Sequence, residues 1–311
     1  MTGAVTQRSA AYGTAPLPWL RTSLQNMTDP QALSTARTMW TLLEPLHGVT
    51  YFSPQARQAL EEAGLRGFWR GYFAGRAAPL GPVGPAVVNA IFYNFAPQMV
   101  YRALPDVWER ATPPVALAAR VTGSATALRD ALPGDPAPAV AVLEQVAGHL
   151  NYDGRTLSAA NAELPPSSDP YERLWELATL FREHRGDGHF AALVAADING
   201  LESLTLRTGM DVAREVMQPA RGWTDEEWAA AQARLADRGL LDAEGRITDG
   251  GRQAYAAVEE ATDRSAAACW QSVPPDELAK LADELAPMAA AVPLPPGNPI
   301  GTPPPARPQA D

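Results

Sequence analysis

The densest group of ionisable side chains in the sequence is the segment FREHRGDGH, residues 181–189. His184 and His189 lie on either side of Asp187, and histidine is the side chain whose ordinary pKa is closest to neutrality. An imidazole that a carboxylate orients can act as a general base or can bind a polar group of a ligand. We therefore take His184, Asp187 and His189 as candidate catalytic residues with an acid–base role.

A purely structural interpretation of the same segment is the alternative. Gly186 and Gly188 are expected to bend the chain, so that one helix ends near Arg185 and another begins near Gly188. Asp187 would then be an N-cap whose carboxylate accepts hydrogen bonds from free amides of the second helix. Glu183 and Arg185 would form a surface ion pair.

The spacing of the histidines does not favour a metal site. His184 and His189 are five residues apart across the predicted turn, whereas the histidines of a zinc-binding H-E-x-x-H motif lie four apart on one helical face. The only cysteine, Cys269, excludes cysteine-rich zinc sites and iron–sulfur clusters. Neither a G-x-x-x-x-G-K-[ST] phosphate loop nor a G-x-S-x-G nucleophile elbow occurs. We expect neither a metal nor a cofactor.

A second candidate site is the segment RGFWRGYFAGRAAPLGPVGP, residues 66–85, which combines four aromatic residues with five glycines and three prolines. Glycine lets the backbone approach a ligand closely, and aromatic rings supply flat apolar walls. This composition favours the lining of a ligand cavity, with a packed loop between helices as the alternative. The candidate ligand-binding residues are Phe68, Trp69, Arg70, Tyr72, Phe73, Arg76, Tyr93, Asn94 and Arg185.

Helices are expected to position both candidate sites, because apolar residues recur at helical intervals through much of the sequence. In the first predicted helix, Leu33, Ala36 and Leu43 lie on one face. Ser53 followed by Pro54 predicts the start of the second helix, as an N-cap with proline at the first helical position. The predicted helices cover about residues 30–46, 54–63, 85–103, 113–132, 136–149 and 170–185.

A different pattern begins at residue 223. Thr224 and Glu227 form a T-x-x-E capping box that starts a helix, and this helix is expected to end at Gly239. Residues 240–247 then predict a short strand, a tight turn and a returning strand, and the next helix is expected to begin after Thr248. This order is that of the end of a winged-helix domain, so the sequence predicts a small β-hairpin wing.

Two phrases in this region resemble MarR-type winged-helix regulators: RGLL at Arg238–Leu241 and T-x-x-G-R at Thr248–Arg252. More broadly, RGFWRGYFAGRAAPLGP, FREHRGDGH and GWTDEEW together resemble a little-characterised bacterial helix-turn-helix family with an all-helical N-terminal half. The likeness covers about residues 36–287. It implies the fold and carries no catalytic residues over to this chain.

The distribution of charge disfavours DNA binding. Residues 1–168 carry 12 basic and 11 acidic side chains, whereas residues 169–311 carry 13 basic and 24 acidic ones, a net charge of −11. Residues 223–252 alone contain four arginines and seven acidic residues, three of which, Asp225, Glu226 and Glu227, begin the presumed recognition helix. Since proteins gain most of their affinity for DNA from basic side chains on phosphates, this helix is poorly suited to that role.

The chain has 311 residues, 46% of them hydrophobic and 19% charged, which suits a soluble protein of one large or two ordinary domains. No apolar run is long enough for a membrane span, and residues 1–20 lack the core of a signal peptide, so we expect a cytoplasmic protein without a membrane partner. The predicted fold class is mainly α, with an N-terminal helical domain and a C-terminal winged-helix-like domain. The predicted parts are a flexible arm (1–29), the helical domain (30–165), the winged-helix-like domain (166–290) and a disordered proline-rich tail (291–311).

We predict from these features a small-molecule-binding winged-helix protein that acts as a ligand-responsive regulator, with weak or no non-specific DNA binding. An enzyme on the same scaffold, using the histidines and Asp187 in an aromatic-lined pocket, is the alternative, and the sequence does not decide between the two. The expected partner is a small molecule. DNA, though disfavoured by the local acidity, and a second copy of the chain in a homodimer are further candidates.

Overall fold

The computed structural model describes residues 30–298, and this part of the chain forms 15 α-helices and no strand. Short 3-10 helices, Ala78–Leu80 and Ala268–Ser272, follow the third and fourteenth α-helices. The helices are α1 (Pro30–Phe52), α2 (Pro54–Glu62), α3 (Phe68–Ala77), α4 (Pro85–Phe92), α5 (Pro97–Tyr101), α6 (Asp106–Arg110), α7 (Pro113–Ala131), α8 (Ala137–Ala147), α9 (Thr156–Ala162), α10 (Pro170–Ala195), α11 (Gly200–Thr208), α12 (Arg214–Arg221), α13 (Asp225–Asp237), α14 (Asp249–Ala267) and α15 (Pro275–Ala291). The expected mainly α fold is confirmed, and no helix in the described range combines the length and apolarity that crossing a bilayer requires.

Helix starts follow the capping signals of the sequence. The hydroxyl of Ser53 accepts a hydrogen bond from the amide of Ala56 at 3.1 Å, and Pro54 is the first residue of α2. Thr224 and Glu227 form the predicted capping box at the start of α13. These interactions join residues within one turn, so they depend little on the rest of the fold.

The long helix α10 lies in the main hydrophobic core. Its residue Trp175 belongs to one apolar cluster with Leu43 of α1, Leu143 of α8, Trp270 of the second 3-10 helix and Leu281 of α15. This cluster joins helices from both sides of the predicted boundary between residues 165 and 166. The boundary stays a prediction, and the predicted arm, residues 1–29, lies outside the described residues.

Smaller clusters hold the remaining helices. The aromatic residues Phe73, Phe92 and Phe95 belong to a second cluster, which includes residues from Leu60 of α2 to Leu157 of α9. Leu235 and Trp228 of α13 belong to two further clusters, which hold α13 against α11 and its neighbours. Helices α11–α13 therefore have their own small core.

The predicted bend at Gly186 and Gly188 is wrong, because α10 continues without a break to Ala195. A Cβ atom at Gly188 would overlap Ser265 Oγ of α14, and it would lie 2.6 Å from Arg155 Nη1. Gly188 therefore lies where α14 packs tightly against α10. Tertiary packing keeps this glycine helical, although glycine lowers intrinsic helix stability by about 1 kcal/mol relative to alanine.

The predicted β-hairpin wing is also wrong. Leu241 and Ile247 form a single isolated antiparallel bridge, and neither belongs to a strand in the described part of the chain. The side chain of Asp242 accepts hydrogen bonds from the amides of Glu244 and Arg246, which makes a tight turn immediately after the bridge. Thr248 already caps α14, so the returning arm is too short to extend into a strand.

Two further segments differ from simple continuous helices. The helix expected at residues 85–103 is divided into α4 and α5, and Tyr93 between them has a φ angle of 55°. Of the predicted tail, residues 291–298 are described: Ala291 is the last residue of α15, and the side chain of Leu294 lies directly on Gly48 of α1. Residues 299–311 lie outside the described range.

Candidate functional site

A cavity of about 380 Å³, bordered by α1, α2 and α3, lies beside several of the predicted ligand residues. We call it the aromatic pocket, because Tyr51, Phe52, Phe68 and Tyr72 form much of its wall. The rings of Tyr51 and Tyr72 have centroids 5.1 Å apart, and those of Phe52 and Phe68 are stacked at 6.2 Å. Arg57 of α2, an exposed residue, also lines it. The pocket has the size and apolar lining of a small-molecule site.

A second, much smaller cavity adjoins the aromatic pocket, and we call it the recess. The two share Thr50, Tyr51, Leu60 and Gly71 as lining residues. The recess has a volume of about 10 Å³, which is room for one water-sized group. Its other lining residues are His47, Gly75, Arg76, Arg120, Trp175 and Glu183.

Glycines on α3 make room for the recess. Gly71 and Gly75 are one helical turn apart and therefore lie on the same face of α3. A Cβ atom at Gly75 would lie 3.9 Å from Arg120 Cβ and Cδ, an ordinary contact distance. The absence of side chains at these positions leaves the space that a methyl group would fill.

A buried ion pair between Arg76 of α3 and Glu183 of α10 borders the recess. Arg76 Nε and Nη2 each donate to one carboxylate oxygen of Glu183 at 2.9 Å, and Arg182 Nη1 donates to the same carboxylate at 2.9 Å. Burial alone would raise the pKa of Glu183, but Arg182 and Arg76 outweigh it and hold that pKa well below the usual range. The predicted surface pair of Glu183 with Arg185 is therefore wrong, since Glu183 is buried and has other partners.

Neutral polar groups form another part of the wall. His47 Nδ1 lies 2.9 Å from Thr179 Oγ1, and His47 Nε2 lies 3.0 Å from the hydroxyl of Tyr51. Burial lowers the pKa of His47 well below its ordinary value and raises the pKa of Tyr51. Both side chains are therefore uncharged at neutral pH and can donate or accept hydrogen bonds.

Arg120 of α7 has a different environment from the other arginines of the recess. Its Nη1 donates to the carbonyl of Gly75 and its Nη2 to Asn161 Oδ1, both at 2.8 Å, and its guanidinium carbon lies 5.2 Å from the ring centroid of Trp175. Within residues 30–298, its buried Nε has no hydrogen-bond partner and no carboxylate lies within 4.0 Å of the guanidinium. Burial lowers the pKa of Arg120 to about 10, so the group stays charged at neutral pH.

Several of the predicted ligand residues come together here. Phe68 and Tyr72 line the aromatic pocket, and Arg76 lines the recess. Trp69 and Arg70, together with Phe68, line a neighbouring surface pocket of about 270 Å³. Phe73 is fully buried among the rings of the second cluster.

The other three predicted ligand residues lie elsewhere. The Tyr93 hydroxyl donates to the carbonyl of Ile198 at 2.5 Å, and the carbonyl of Asn94 accepts from Trp223 Nε1 at 3.0 Å. Arg185 belongs to a buried ionic network, in which its Nη2 donates to Asp263 Oδ1 at 3.0 Å. None of these three lines either the aromatic pocket or the recess.

The candidate catalytic residues make contacts that hold helices together. His184 Nε2 lies 3.0 Å from the carbonyl of Asn151, and His189 Nδ1 lies 3.0 Å from Thr262 Oγ1. Asp187 accepts a hydrogen bond from the amide of Ser158 at 3.0 Å. The three residues line neither of the two cavities, and their catalytic role stays an untested prediction.

The sequence indicated no ligand-binding role for several residues that build the site, although Glu183 was expected in a surface pair with Arg185. His47, Tyr51, Arg120 and Glu183 come from three helices that are distant in sequence, and no local motif connects them. The one available signal is the pair Gly71 and Gly75, whose four-residue spacing places them on one face of a helix. Within the described range, no group of three or more His, Cys, Asp or Glu side chains has the arrangement of a metal site.

A family model described as a helix-turn-helix family matches residues 36–294. No curated protein and no solved structure matches the chain, so the likeness to MarR-type regulators gains no support. Because the family model covers most of the chain, the protein belongs to this helix-turn-helix family.

Proposed function

We propose that this helix-turn-helix protein binds a small molecule in the aromatic pocket and acts as a ligand-responsive regulator with little non-specific affinity for DNA. The pocket itself is the observation that carries the proposal. It is open to solvent, it has a volume of about 380 Å³, and aromatic rings line it next to a polar recess. Pockets that bind small molecules combine an apolar lining with a few polar groups in this way.

The surface of α13 supports the proposal that the protein has little non-specific affinity for DNA. Its first turn exposes Asp225 and Glu226, and the middle of its exposed face consists of alanines. Arg234 Nε donates to Glu202 Oε1 at 2.8 Å, so a carboxylate neutralises this guanidinium. Arg238 Nη1 donates to the carbonyl of Asp197, so this group already has a hydrogen-bond acceptor within the protein. A helix with this surface presents few basic side chains that could bind DNA phosphates.

Packed contacts connect the pocket to helices α12 and α13, which supports a response to ligand. Tyr72 of the pocket lies 5.5 Å from Phe95, centroid to centroid. The guanidinium carbon of Arg221, at the end of α12, is 4.4 Å from the ring centroid of Phe95. Trp223, directly before α13, donates to the carbonyl of Asn94. A ligand that moves Tyr72 would act on the segment that holds α12 and α13.

A fluorescence titration with the neutral probe N-phenyl-1-naphthylamine tests the pocket. We expect saturable binding that Arg57→Trp weakens about tenfold or more, because an indole at this exposed lining position would obstruct the pocket. Gln58→Trp adds the same ring one residue further along α2, at an exposed position outside the pocket lining, and should bind like the wild type. Absence of saturable binding, or equal weakening in both variants, would contradict a ligand site in this pocket.

Titration with a random DNA duplex tests the electrostatic part. We expect a Kd weaker than ~10 μM at physiological salt, because the C-terminal part of the chain is acidic and α13 lacks free basic side chains. Submicromolar binding with a steep salt dependence would overturn this expectation. It would require a basic surface assembled from arginines of both parts of the chain.

A further inference from the structure

The surroundings of the recess contain more positive than negative charge. Arg76 and Arg182 share the carboxylate of Glu183, and Arg182 Nε also lies 3.6 Å from Glu44 Oε2. Two carboxylates therefore balance these two guanidinium groups. Arg120 is a third buried cation, and it has only neutral hydrogen-bond acceptors.

Other acidic side chains do not neutralise Arg120. Glu183, which Arg76 and Arg182 already share, acts on Arg120 more strongly than the one other acidic side chain that does so, Glu176. The carboxylate of Glu176, however, lies 3.2 Å from Arg173 Nη1 and accepts from the amide of Ser167 at 3.1 Å. A buried charge without an ionic partner is unfavourable, so the fold gains free energy when an anion is bound beside it.

We propose that the recess binds the carboxylate of a largely apolar, planar ligand, with the ring system of the ligand in the aromatic pocket and Arg120 as the counter-charge. The proposal rests on the proposed function, since it names the class of ligand that the aromatic pocket takes.

The dimensions of the two cavities agree with this ligand class. The recess admits one water-sized group, such as a carboxylate oxygen, but no ring. The aromatic pocket next to it has the volume for a two-ring system between aromatic walls. Tyr51 lines both cavities, and its neutral hydroxyl, 3.0 Å from His47 Nε2, can donate or accept a hydrogen bond.

The test compares two probes of the same shape, 2-naphthoate and 2-naphthamide, by isothermal titration of the full chain at pH 7.5. The carboxylate probe is anionic at this pH and the amide is neutral. We expect the wild type to bind 2-naphthoate about tenfold or more tightly than 2-naphthamide, because hydrogen bonds between charged groups are stronger than neutral ones.

Two variants then locate the carboxylate. Arg120→Gln removes the charge and should reduce the preference for 2-naphthoate to less than about twofold. Gly75→Ala places a methyl group in the recess at an ordinary contact distance from Arg120 and should reduce the preference in the same way while the protein still folds. Arg129→Gln is the matched control, because Arg129 lies on the same helix, is exposed and pairs with Asp169.

The possible results separate the two proposals. Equal binding of both probes, or a preference that persists in both Arg120→Gln and Gly75→Ala, overturns the carboxylate assignment and leaves the pocket as a ligand site. Binding of N-phenyl-1-naphthylamine without binding of either naphthyl probe also overturns this inference alone. Absence of binding by all three probes overturns the proposed function together with it. If Arg120→Gln does not fold, Gly75→Ala decides the outcome.

Discussion

Single polar residues in this protein join helices that are distant in sequence. Asp187 of α10 accepts a hydrogen bond from the amide of Ser158, and the amide of Leu157 also stabilises its charge, so Asp187 caps the N-terminus of α9 from another helix. Burial raises the pKa of Asp187 to about 6, although these backbone amides act in the opposite direction. The sequence identified Asp187 as a cap, but it assigned the cap to a helix beginning beside it, because only local partners can be read from sequence.

Substitutions at Asp187 should show that its carboxylate caps a different helix, α9, and not its own. Asp187→Ala should lower the free energy of unfolding by about 1–2 kcal/mol, since it leaves the Ser158 amide without an acceptor. Asp187→Asn keeps an acceptor of the same length and should recover at least half of that loss. Asp187→Ser is too short to reach across to α9 and should resemble alanine. Urea denaturation of the three variants checks the order, and recovery by serine rather than asparagine would contradict it.

His184 should make stability depend on pH. Burial and the nearby charge of Arg155 lower the pKa of His184 to about 4, against about 6.5 in the unfolded chain. The unfolded state therefore binds a proton more readily, and stability is lost as the pH falls from about 6.5 towards 4. For this residue alone the loss at pH 5 is about 2 kcal/mol.

Comparison of the wild type with His184→Gln isolates this contribution. Glutamine can still donate to the carbonyl of Asn151, but it cannot take up a proton. Urea denaturation at pH 7 and pH 5 should show a smaller loss for His184→Gln than for the wild type. His149→Gln changes an exposed histidine and should follow the wild type. Parallel losses in His184→Gln and the wild type would show that His184 is not the titrating group.

At the scale of helices, the sequence predicted where helices begin more accurately than whether a helix continues without a break. Ser53 and Thr224 cap α2 and α13 as expected, because a cap needs partners only within one turn. The break expected at Gly186 and Gly188 does not exist, because the contact of α10 with α14 outweighs the low helix propensity of glycine. The wing is absent because local hydrogen bonds prevail there: the amides of Glu244 and Arg246 donate to Asp242, which leaves too few residues for a second strand.

The two glycines of α10 provide a matched pair of substitutions. Gly188→Ala should lower the free energy of unfolding by about 2 kcal/mol or more, because its Cβ would overlap Ser265 Oγ. At Gly186 the nearest atom to an added Cβ is Glu183 Oε2 at 3.7 Å, so Gly186→Ala should raise stability by up to about 1 kcal/mol. Chemical denaturation measures both. Equal effects at the two positions would mean that helix packing does not explain the unbroken α10.

At the scale of the whole molecule, the candidate site is a product of tertiary structure. The acidity of the C-terminal part and the aromatic character of residues 66–85 were visible in the sequence, and Phe68, Tyr72 and Arg76 do reach the two cavities. Arg120 was not identified and Glu183 was expected at the surface, because the two are 63 residues apart and meet only when α7 and α10 pack beside α3. A buried arginine and an exposed one cannot be distinguished in a chain with so many arginines until the core is known.

The end of the chain also acquires a role only in the folded molecule. The proline-rich composition of residues 291–311 predicted a tail outside any core, yet Leu294 lies on Gly48 and Asn298 is 5% exposed. Truncation after Val292 should therefore lower the free energy of unfolding by about 1 kcal/mol, because it exposes the apolar surface that Leu294 covers. Truncation after Asn298 retains this contact and is the matched control. Gly48→Ala should reproduce the loss in the full chain, since its methyl group would displace Leu294. Thermal and urea unfolding of the three proteins measure the effect, and identical stability of the two truncations would show that Leu294 contributes nothing.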